Sequence, residues 1–364
     1  MDRRTIFSVS LILAGALLLL PAGVAASSEK LTQDRAEKAA SRIEAGFPVQ
    51  GAIRYSPDGR FVFMASRNGL IRKFDLTDGL PVAEARAGTL LRNFALSSDG
   101  KWLMAGNSQP QQLVVLHAND LGLFKVIPVA DVEGRTSAVN AVYNSPARQA
   151  FLVTLQSSPE ILELSYDPEA APVYGNFVHS YRKGHVEAVI VEEQPFARNR
   201  LKLKVRLEDV FLDPYGAEIV GLRAKDDAAV VYNLDARRKI AELQPGGNPH
   251  FGAGLSWIVA GQQILAVPDL DQPVITIIDM ESWTVIKKLK MRAPGYFLHA
   301  VWGSRTHSGI ARFRLLSGPD KGQLQIIDKQ TLEVTGLPQP DRNRRSMPGH
   351  IPLLNGKIIF GAQD

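Results

Sequence analysis

"GAIRYSPDGRFVFMASRNGLIRKFDLTDG" occupies residues 51–79, and "NFALSSDGKWLMAGNSQPQQLVVLHANDLG" occupies 93–122. Both read as strand, turn, strand. The turns are Ser56-Pro57-Asp58-Gly59 and Ser97-Ser98-Asp99-Gly100. Glycine accepts positive φ and Asp tolerates it, so Asp-Gly between apolar runs signals a hairpin. Weaker copies follow at 145–154 ("SPARQAFLVT"), 213–222 ("DPYGAEIVGL") and 353–362 ("LLNGKIIFGA"). A second element, an apolar strand closed by a polar turn, recurs at 70–85, 112–127, 160–175, 229–243, 274–289 and 323–337. Its turn carries Asp75, His117, Asn233, Asp279 or Asp328 in the clearest copies. A carboxylate or amide there can accept a bond from its own backbone two residues on.

The elements make six units, and a seventh starts near residue 347. A repeat of roughly 40–50 residues built only of strands is the sign of a β-propeller. A sandwich would not repeat one unit at a fixed period, and no helix-length run interrupts the array. The expected fold is all-β: a propeller of seven or eight four-stranded blades over residues 47–364. Its last blade is either completed by the N-terminal segment or left incomplete. Residues 176–204 read as an insertion, in which "RLKLKVRL" (200–207) alternates cationic and apolar residues. That pattern suits a half-exposed strand whose charges guard a sheet edge.

Hydrophobic content of 45% and charged content of 22% allow a real core and argue against disorder. Residues 1–26 begin with charges, continue as an apolar run and end on Val24-Ala25-Ala26, the small-x-small pattern of a cleaved signal peptide. An uncleaved anchor is the alternative, because the run is just long enough to span a bilayer. Pro21 and the small-residue exit favour cleavage. The expected location is a bacterial periplasm, with membrane contact only through an uncleaved leader. Residues 27–46 form a polar lead-in. The chain has no cysteine, which excludes disulfides, thiolate metal sites and covalent c-type haem. The net charge is +5, or about +4 without the leader. Its dispersed cations do not point to nucleic acid, although a local cluster could hold an anionic ligand.

The repeats resemble those of the haem d₁ propeller of cytochrome cd₁ nitrite reductase and its cytochrome-free relatives in haem d₁ maturation. The likeness runs from about residue 46 to 364 and is strongest over 51–128. It is visible also in "SSPEILEL" (157–164), "GGNPHFGAG" (246–254), "GYFLHAV" (295–301) and "IIDKQTLEV" (326–334). The resemblance implies an eight-bladed propeller with a tetrapyrrole in its central channel. It places Arg54, Arg67 and Arg92 in the pocket. Haem d₁ is rich in carboxylates, and a guanidinium forks two bonds to a carboxylate better than an ammonium does. Ion pairs with Asp residues of neighbouring blades are the alternative for these arginines. Arg72, near the outer turn, is expected on the surface. His250 and His299 fall at the family's distal pair, where a histidine can hand a proton to the ligand.

Two departures bear on iron. The family's axial histidine corresponds to Gln156, a poor iron ligand, and its N-terminal blade histidine is replaced in the region of Gln50 and Gly51. His179, His185, His307 and His350 could substitute only if the fold carried them inward, and His350 matches a position where maturation-type relatives carry histidine. The expected function is a periplasmic propeller that binds haem d₁ or a precursor and assists its maturation or transfer within a nitrite reductase system. A redox protein or the reductase itself would be its partner. The alternative is a cofactor-less propeller serving as an interaction platform. "PDLDQP" (268–273) lacks the glycine and closing Glu of a calcium loop and reads as a turn.

Overall fold

The computed structural model describes residues 43, 45–47, 53–131, 133–178, 188–223, 228–297, 310–315, 317, 321, 324–335, 353–354 and 357–358. Six four-stranded antiparallel sheets follow one another along these residues. Blade 1 holds β1 (Arg54–Tyr55), β2 (Phe61–Ala65), β3 (Leu70–Asp75) and β4 (Pro81–Arg86). Blade 2 holds β5 (Leu90–Leu96), β6 (Trp102–Gln109), β7 (Gln112–His117) and β8 (Leu123–Pro128). Blade 3 starts with β9 (Val139–Ser145), β10 (Ala150–Leu155) and β11 (Glu160–Ser165). A separate hairpin, β12 (Tyr174–Val178) and β13 (Ala188–Val191), intervenes before its fourth strand, β14 (Arg198–Lys202). Blade 4 holds β15 (Leu207–Leu212), β16 (Glu218–Arg223), β17 (Ala229–Asn233) and β18 (Arg238–Leu243). Blade 5 holds β19 (Leu255–Val259), β20 (Gln262–Pro268), β21 (Val274–Asp279) and β22 (Thr284–Lys290). Blade 6 holds β23 (Gly295–Phe297), β24 (Ile310–Leu315), β25 (Leu324–Asp328) and β26 (Val334–Thr335). A final pair, β27 (Leu353–Leu354) and β28 (Lys357–Ile358), begins a further sheet.

Each blade is a meander, so the sequence signals map to its turns. In the Ser-x-Asp-Gly turns the Ser56 hydroxyl accepts from the Phe61 amide at 2.8 Å, and the Ser97 hydroxyl accepts from the Trp102 amide at 2.9 Å. Gly59 and Gly100 take φ of +67° and +70°, where a side chain would be strained. The third-strand turns behave as the pattern implies. Asp75 accepts from the Thr77 amide at 2.8 Å, and Asp328 accepts from the Gln330 and Thr331 amides, both at 2.8 Å. Asn233 reaches the Ala236 amide instead, at 2.7 Å. At His117 the imidazole stacks on Trp102, with ring centroids 4.9 Å apart.

Middle strands are sandwiched between neighbouring blades, which is why "FVFMA" (β2) and "AFLVTL" (β10) are nearly continuous apolar runs with hardly an exposed residue. Outer strands face solvent and alternate, as "PVAEAR" (β4) does. The core is therefore a series of inter-blade layers. Phe63, Phe94 and Leu103 pack between blades 1 and 2, and Met104, Val142 and Phe151 between blades 2 and 3. Each such side chain contributes about 1.5–3 kcal/mol by burial. Glycine at 106 is part of the fit, because a Cβ there would stand 2.6 Å from Val139 and 2.7 Å from Val142.

Hydrogen bonds cross the blade boundaries as well. The Asn93 side chain donates to the Val142 carbonyl at 3.1 Å and accepts from the Val142 amide at 2.8 Å. This amide straps β5 to β9. Between blades 4 and 5, the Trp283 indole donates to Glu218 at 2.8 Å.

The insertion begins earlier than its sequence suggests, since its hairpin starts at Tyr174. "RLKLKVRL" is split between two strands, its first three residues ending β14 and Leu207 beginning β15. β14 pairs with β11 as the outermost strand of blade 3, and residues 203–206 cross to blade 4. Its arginines are neutralised: Arg198 pairs with Glu192 at 2.6 Å and Arg200 with Glu160 at 3.0 Å. The strand guards the edge of blade 3, with these two arginines paired. Arg72 is more than a surface residue. It pairs with Glu84, donates to the Ala45 carbonyl at 2.7 Å and covers the Phe47 ring at 5.3 Å, pinning the lead-in to blade 1.

Amide bonds hold the carboxyl of Asp75 below the usual range, first through Thr77, and do the same for Asp328 through Thr331 and Gln330. A depressed folded-state pKa stabilises the fold fully above the unfolded value near 4, and that contribution is lost as pH falls through the folded values. The double variant Asp75→Asn and Asp328→Asn is therefore expected to lose less stability than the natural chain between pH 5 and about pH 2. Urea unfolding at the two pH values checks this, and equal losses would contradict it. At neutral pH, Asn93→Ala is expected to cost about 1–3 kcal/mol, because it orphans two buried backbone groups of β9.

Candidate functional site

A four-stranded meander sends its second-to-third turn and its exit to one end, and its other two turns to the opposite end. The first strands of successive blades pack on one another, β1 on β5, β5 on β9 and β9 on β15, so they are the inner strands. Arg54 and Arg92 lie near the starts of inner strands, Arg67 and Gln156 in second-to-third turns, and His250 just before β19. Topology thus gathers all five at one end of the propeller. His299 and His350, with His179, His185 and His307, lie outside the described residues.

Inner strands of blades 2, 3 and 4 each carry an extra residue near this end. In β5, Leu91 faces Asn107 and Asn93 faces Gly106, which leaves Arg92 extra. In β9 the extra residue is Asn140, and in β15 it is Asp209. A bulge leaves one residue out of the ladder and re-aims its side chain. Three consecutive blades use the device to turn a polar group away from the inter-blade layers.

Arg54 stands two residues before the turn residue Ser56, and Tyr143 stands two before Ser145, so they occupy the same level of blades 1 and 3. Arg54 is partly accessible to solvent yet surrounded by protein, as expected of a side chain lining an internal channel. Burial lowers its guanidinium to about 10, with Tyr143 opposing the shift. Its polar contact is a 3.1 Å bond to the Ile53 carbonyl, and it lies 5.9 Å from the Phe94 ring centroid. Burial also lowers Arg92, and the neighbouring charge of Arg67 lowers it further. The Arg92 Nε is buried without a hydrogen-bond partner. Among the described residues no carboxylate pairs with Arg54, Arg67 or Arg92. Arg67 is exposed at the tip of its turn, and its carbonyl accepts from the Leu91 amide at 2.9 Å, fixing the turn on β5.

Gln156 is half-buried. Its backbone amide donates to the Ala138 carbonyl at 2.9 Å, and its backbone carbonyl accepts from Arg206, which also pairs with Glu208. Among the described residues no three His, Asp or Glu side chains cluster as a metal site. "PDLDQP" is a turn closed by its first carboxylate: Asp269 accepts from the amides of Asp271, Gln272 and Asn248 at 2.9, 2.7 and 2.8 Å.

The glycine-rich loop before β19 folds on this turn and on blade 4. A Cβ at Gly247 would meet the Asp269 carboxylate at 2.1 Å, and one at Gly252 would meet Asp209 Oδ1 at 2.7 Å. The glycines thus let backbone approach carboxylates. His250 is buried, and its Nδ1 lies 2.6 Å from Asp209 Oδ1. Asp209 also adds to the shift of Tyr143, whose phenol is held protonated first by burial and then by that carboxylate. Tyr143, Asn140 and Asp209 were not readable as site residues in the sequence. Their one signal is a polar residue two, five or four positions before the first turn of an inner strand.

The arrangement can hold an anion with more than one carboxylate. Guanidiniums without a carboxylate partner among the described residues suit the charge that a polycarboxylate brings, and the Arg92 Nε is a buried donor without an acceptor. A cleft of about 190 Å³ lies elsewhere, between blades 3 and 4, and is lined by the paired Arg148, Glu163 and Asp235. Arg148 there is already paired with Glu163 and Asp235.

The sequence matches the family described as Cytochrome D1 heme domain over residues 24–345. It is 33% identical over 321 residues to the dihydro-heme d1 dehydrogenase of Pseudomonas aeruginosa, which covers 88% of this chain and 59% of that protein. The chain thus spans 59% of the length of that relative. The solved structure of that enzyme, NirN in complex with DHE, superposes with a TM-score of 0.69, covering 84% of this chain and 59% of the other. Protein NirF of Stutzerimonas stutzeri is 23% identical over 337 residues, 87% of this chain and 76% of that protein. The Swd1 β-propeller domain of Myceliophteria thermophila, 11% identical with a TM-score of 0.51 over 80% of this chain and 86% of that one, shares the fold.

An unpaired cation in a low-dielectric site is a cost to the ligand-free protein. Arg54→Met is therefore expected to leave ligand-free stability unchanged or raise it by about 1–3 kcal/mol. Urea unfolding measures this, and a loss above about 1 kcal/mol would show that Arg54 is a structural pairing residue.

Proposed function

Because the chain belongs to the Cytochrome D1 heme domain family, we propose that it binds haem d₁ or a dihydro precursor in the propeller channel and takes part in its maturation or transfer. The observation that carries this reading is the set Arg54, Arg67 and Arg92, three cations at one channel end without a carboxylate partner among the described residues. A tetrapyrrole with several acidic substituents supplies the missing charges. Arg54 and Arg92 would anchor carboxylates in the channel, where charge-assisted bonds are strongest. Arg67, at the exposed rim, would meet the ligand first and steer it inward.

His250 is assigned the exchange of a proton with the ligand, and His299 is proposed as its companion from the family position alone. Gln156 donates little electron density to iron. We therefore assign holding of the tetrapyrrole to its carboxylates and to packing, which suits a protein that releases its ligand after processing. We assign its site of action to the periplasm on the signal-peptide pattern of residues 1–26, with a redox protein or nitrite reductase as the partner that would exchange electrons or cofactor with it.

A visible-absorption titration with haem d₁ and with the dihydro form tests the reading. A saturable Soret shift is expected, and no shift with either would favour the cofactor-less interaction platform. Arg67→Gln is expected to weaken binding by about 1.5–3 kcal/mol, the range for a bond to a charged group. Gln156→His is expected to convert an iron-bearing complex to a tightly ligated low-spin spectrum and to slow its release. If the unchanged chain already gives that spectrum, the assignment of Gln156 is wrong.

A further inference from the structure

Lys202 and Lys204, from the cationic stretch "RLKLKVRL", take no part in the contacts described above. Leu201 and Leu203 bury their side chains between blades 3 and 4, and the lysines that alternate with them are exposed. The backbone beneath them is fixed. The Leu203 amide donates to the Pro159 carbonyl at 2.7 Å, and the Lys204 amide donates to the Tyr232 phenol at 3.0 Å. Pro159 closes the second-to-third turn of blade 3, the turn of Gln156, so the two lysines stand at the channel end that also holds Arg67. Lys290 ends the outer strand of blade 5 at the same end and is exposed as well. Lys202, Lys204, Lys290 and Arg67 have no ion-pair partner among the described residues. Carboxylates of this end are paired: Glu160 with Arg200, Glu208 with Arg206 and Glu133 with Arg135.

The far end carries the opposite sign. Its turns expose Asp58, Asp78, Asp120 and Glu169, and none of the four has an ion-pair partner among the described residues. Charges of one sign around a mouth raise the encounter rate of a partner of the other sign, and like charges at the far end turn that partner away. A membrane surface suits the channel end less well, because a protein that lies on lipid sinks apolar side chains below the headgroups. Every exposed large apolar side chain among the described residues lies within a strand or, like Leu80 and Tyr215, in a turn of the far end. We propose that the channel end is a docking face for a protein with an acidic contact surface, seated across the mouth on Lys202, Lys204, Lys290 and Arg67. The face rests on these charges alone. That the docked partner exchanges a tetrapyrrole through the mouth rests on the function proposed above.

The test uses the full chain with two fluorescently labelled probes, an acidic flavodoxin and a basic mitochondrial cytochrome c, and reads anisotropy at low and at physiological salt. Flavodoxin is expected to bind at low salt and to weaken as salt rises. Lys202→Glu combined with Lys204→Glu is expected to weaken flavodoxin binding at least about tenfold, the lower end of electrostatic steering at a charged mouth. Lys101→Glu combined with Arg238→Glu changes the net charge equally but at the far end, and is expected to change flavodoxin binding less than about twofold because salt screens the distance. Cytochrome c is expected to lose no affinity in Lys202→Glu with Lys204→Glu. Absence of flavodoxin binding at low salt would overturn the proposal. Equal weakening by the two pairs would overturn it too, since net charge alone would then explain the binding. Capture of the chain by phosphatidylglycerol vesicles, lost in Lys202→Glu with Lys204→Glu and unaccompanied by flavodoxin binding, would give the face to a membrane instead. A failed haem d₁ titration with flavodoxin docking intact would overturn the function proposed above and leave the docking face standing.

Discussion

Arg54 carries its charge into the middle of a ring of blades with no carboxylate beside it among the described residues. A buried charge is expensive unless paired, and natural folds seldom keep one idle. The contact with the Ile53 carbonyl does not meet that demand. The neighbouring pair of Arg67 and Arg92 adds like-charge repulsion. A polycarboxylate ligand, as proposed above, would neutralise these cations, and differential binding of this kind would favour it over a neutral guest.

The scaffold can hold such a site because its stability is built elsewhere. Core layers sit between blades, stitched by Phe63, Phe94, Phe151 and their neighbours, and by the Asn93 strap between β5 and β9. Inner strands are free to bulge at their channel ends, and Arg92, Asn140 and Asp209 emerge from the ladder there. Outer ends do the opposite work. Asp75, Asp279 and Asp328 spend their carboxylates on turn amides, and edge arginines such as Arg198 and Arg200 are paired. The division leaves, at the end where a ligand would enter, arginines without a carboxylate partner among the described residues.

How much of this could be read in the sequence follows from what each feature leaves behind. Blades were legible because Asp-Gly turns and apolar runs are local, and the turn geometry at Gly59 and Gly100 depends only on residues a few positions apart. The candidate residues Arg54, Arg67, Arg92, Gln156 and His250 came from family resemblance, and the meander explains why they share one end. Asp209 stayed hidden because "LEDVFL" reads as an ordinary strand, and a bulge with positive φ leaves no local mark. The glycines of "GGNPHFGAG" were readable as a close approach of backbone, but what they approach at Gly247 and Gly252 is a carboxylate from another part of the chain. Long-range pairing of that kind is set by tertiary packing. The insertion boundary was misplaced for a similar reason, since β14 is fixed by its partner β11 across the hairpin.

The central claim is that charge on the ligand's carboxylates is what the channel recognises. Titration of the full chain with dihydro-haem d₁ and with its methyl-esterified form tests it most directly, because the two differ in charge and hardly in shape. Loss of two carboxylate contacts of about 1.5–3 kcal/mol each would weaken the ester more than a hundredfold. The account predicts a loss on that scale for the unchanged chain and a much smaller one for Arg54→Met. Equal affinity for acid and ester would contradict it.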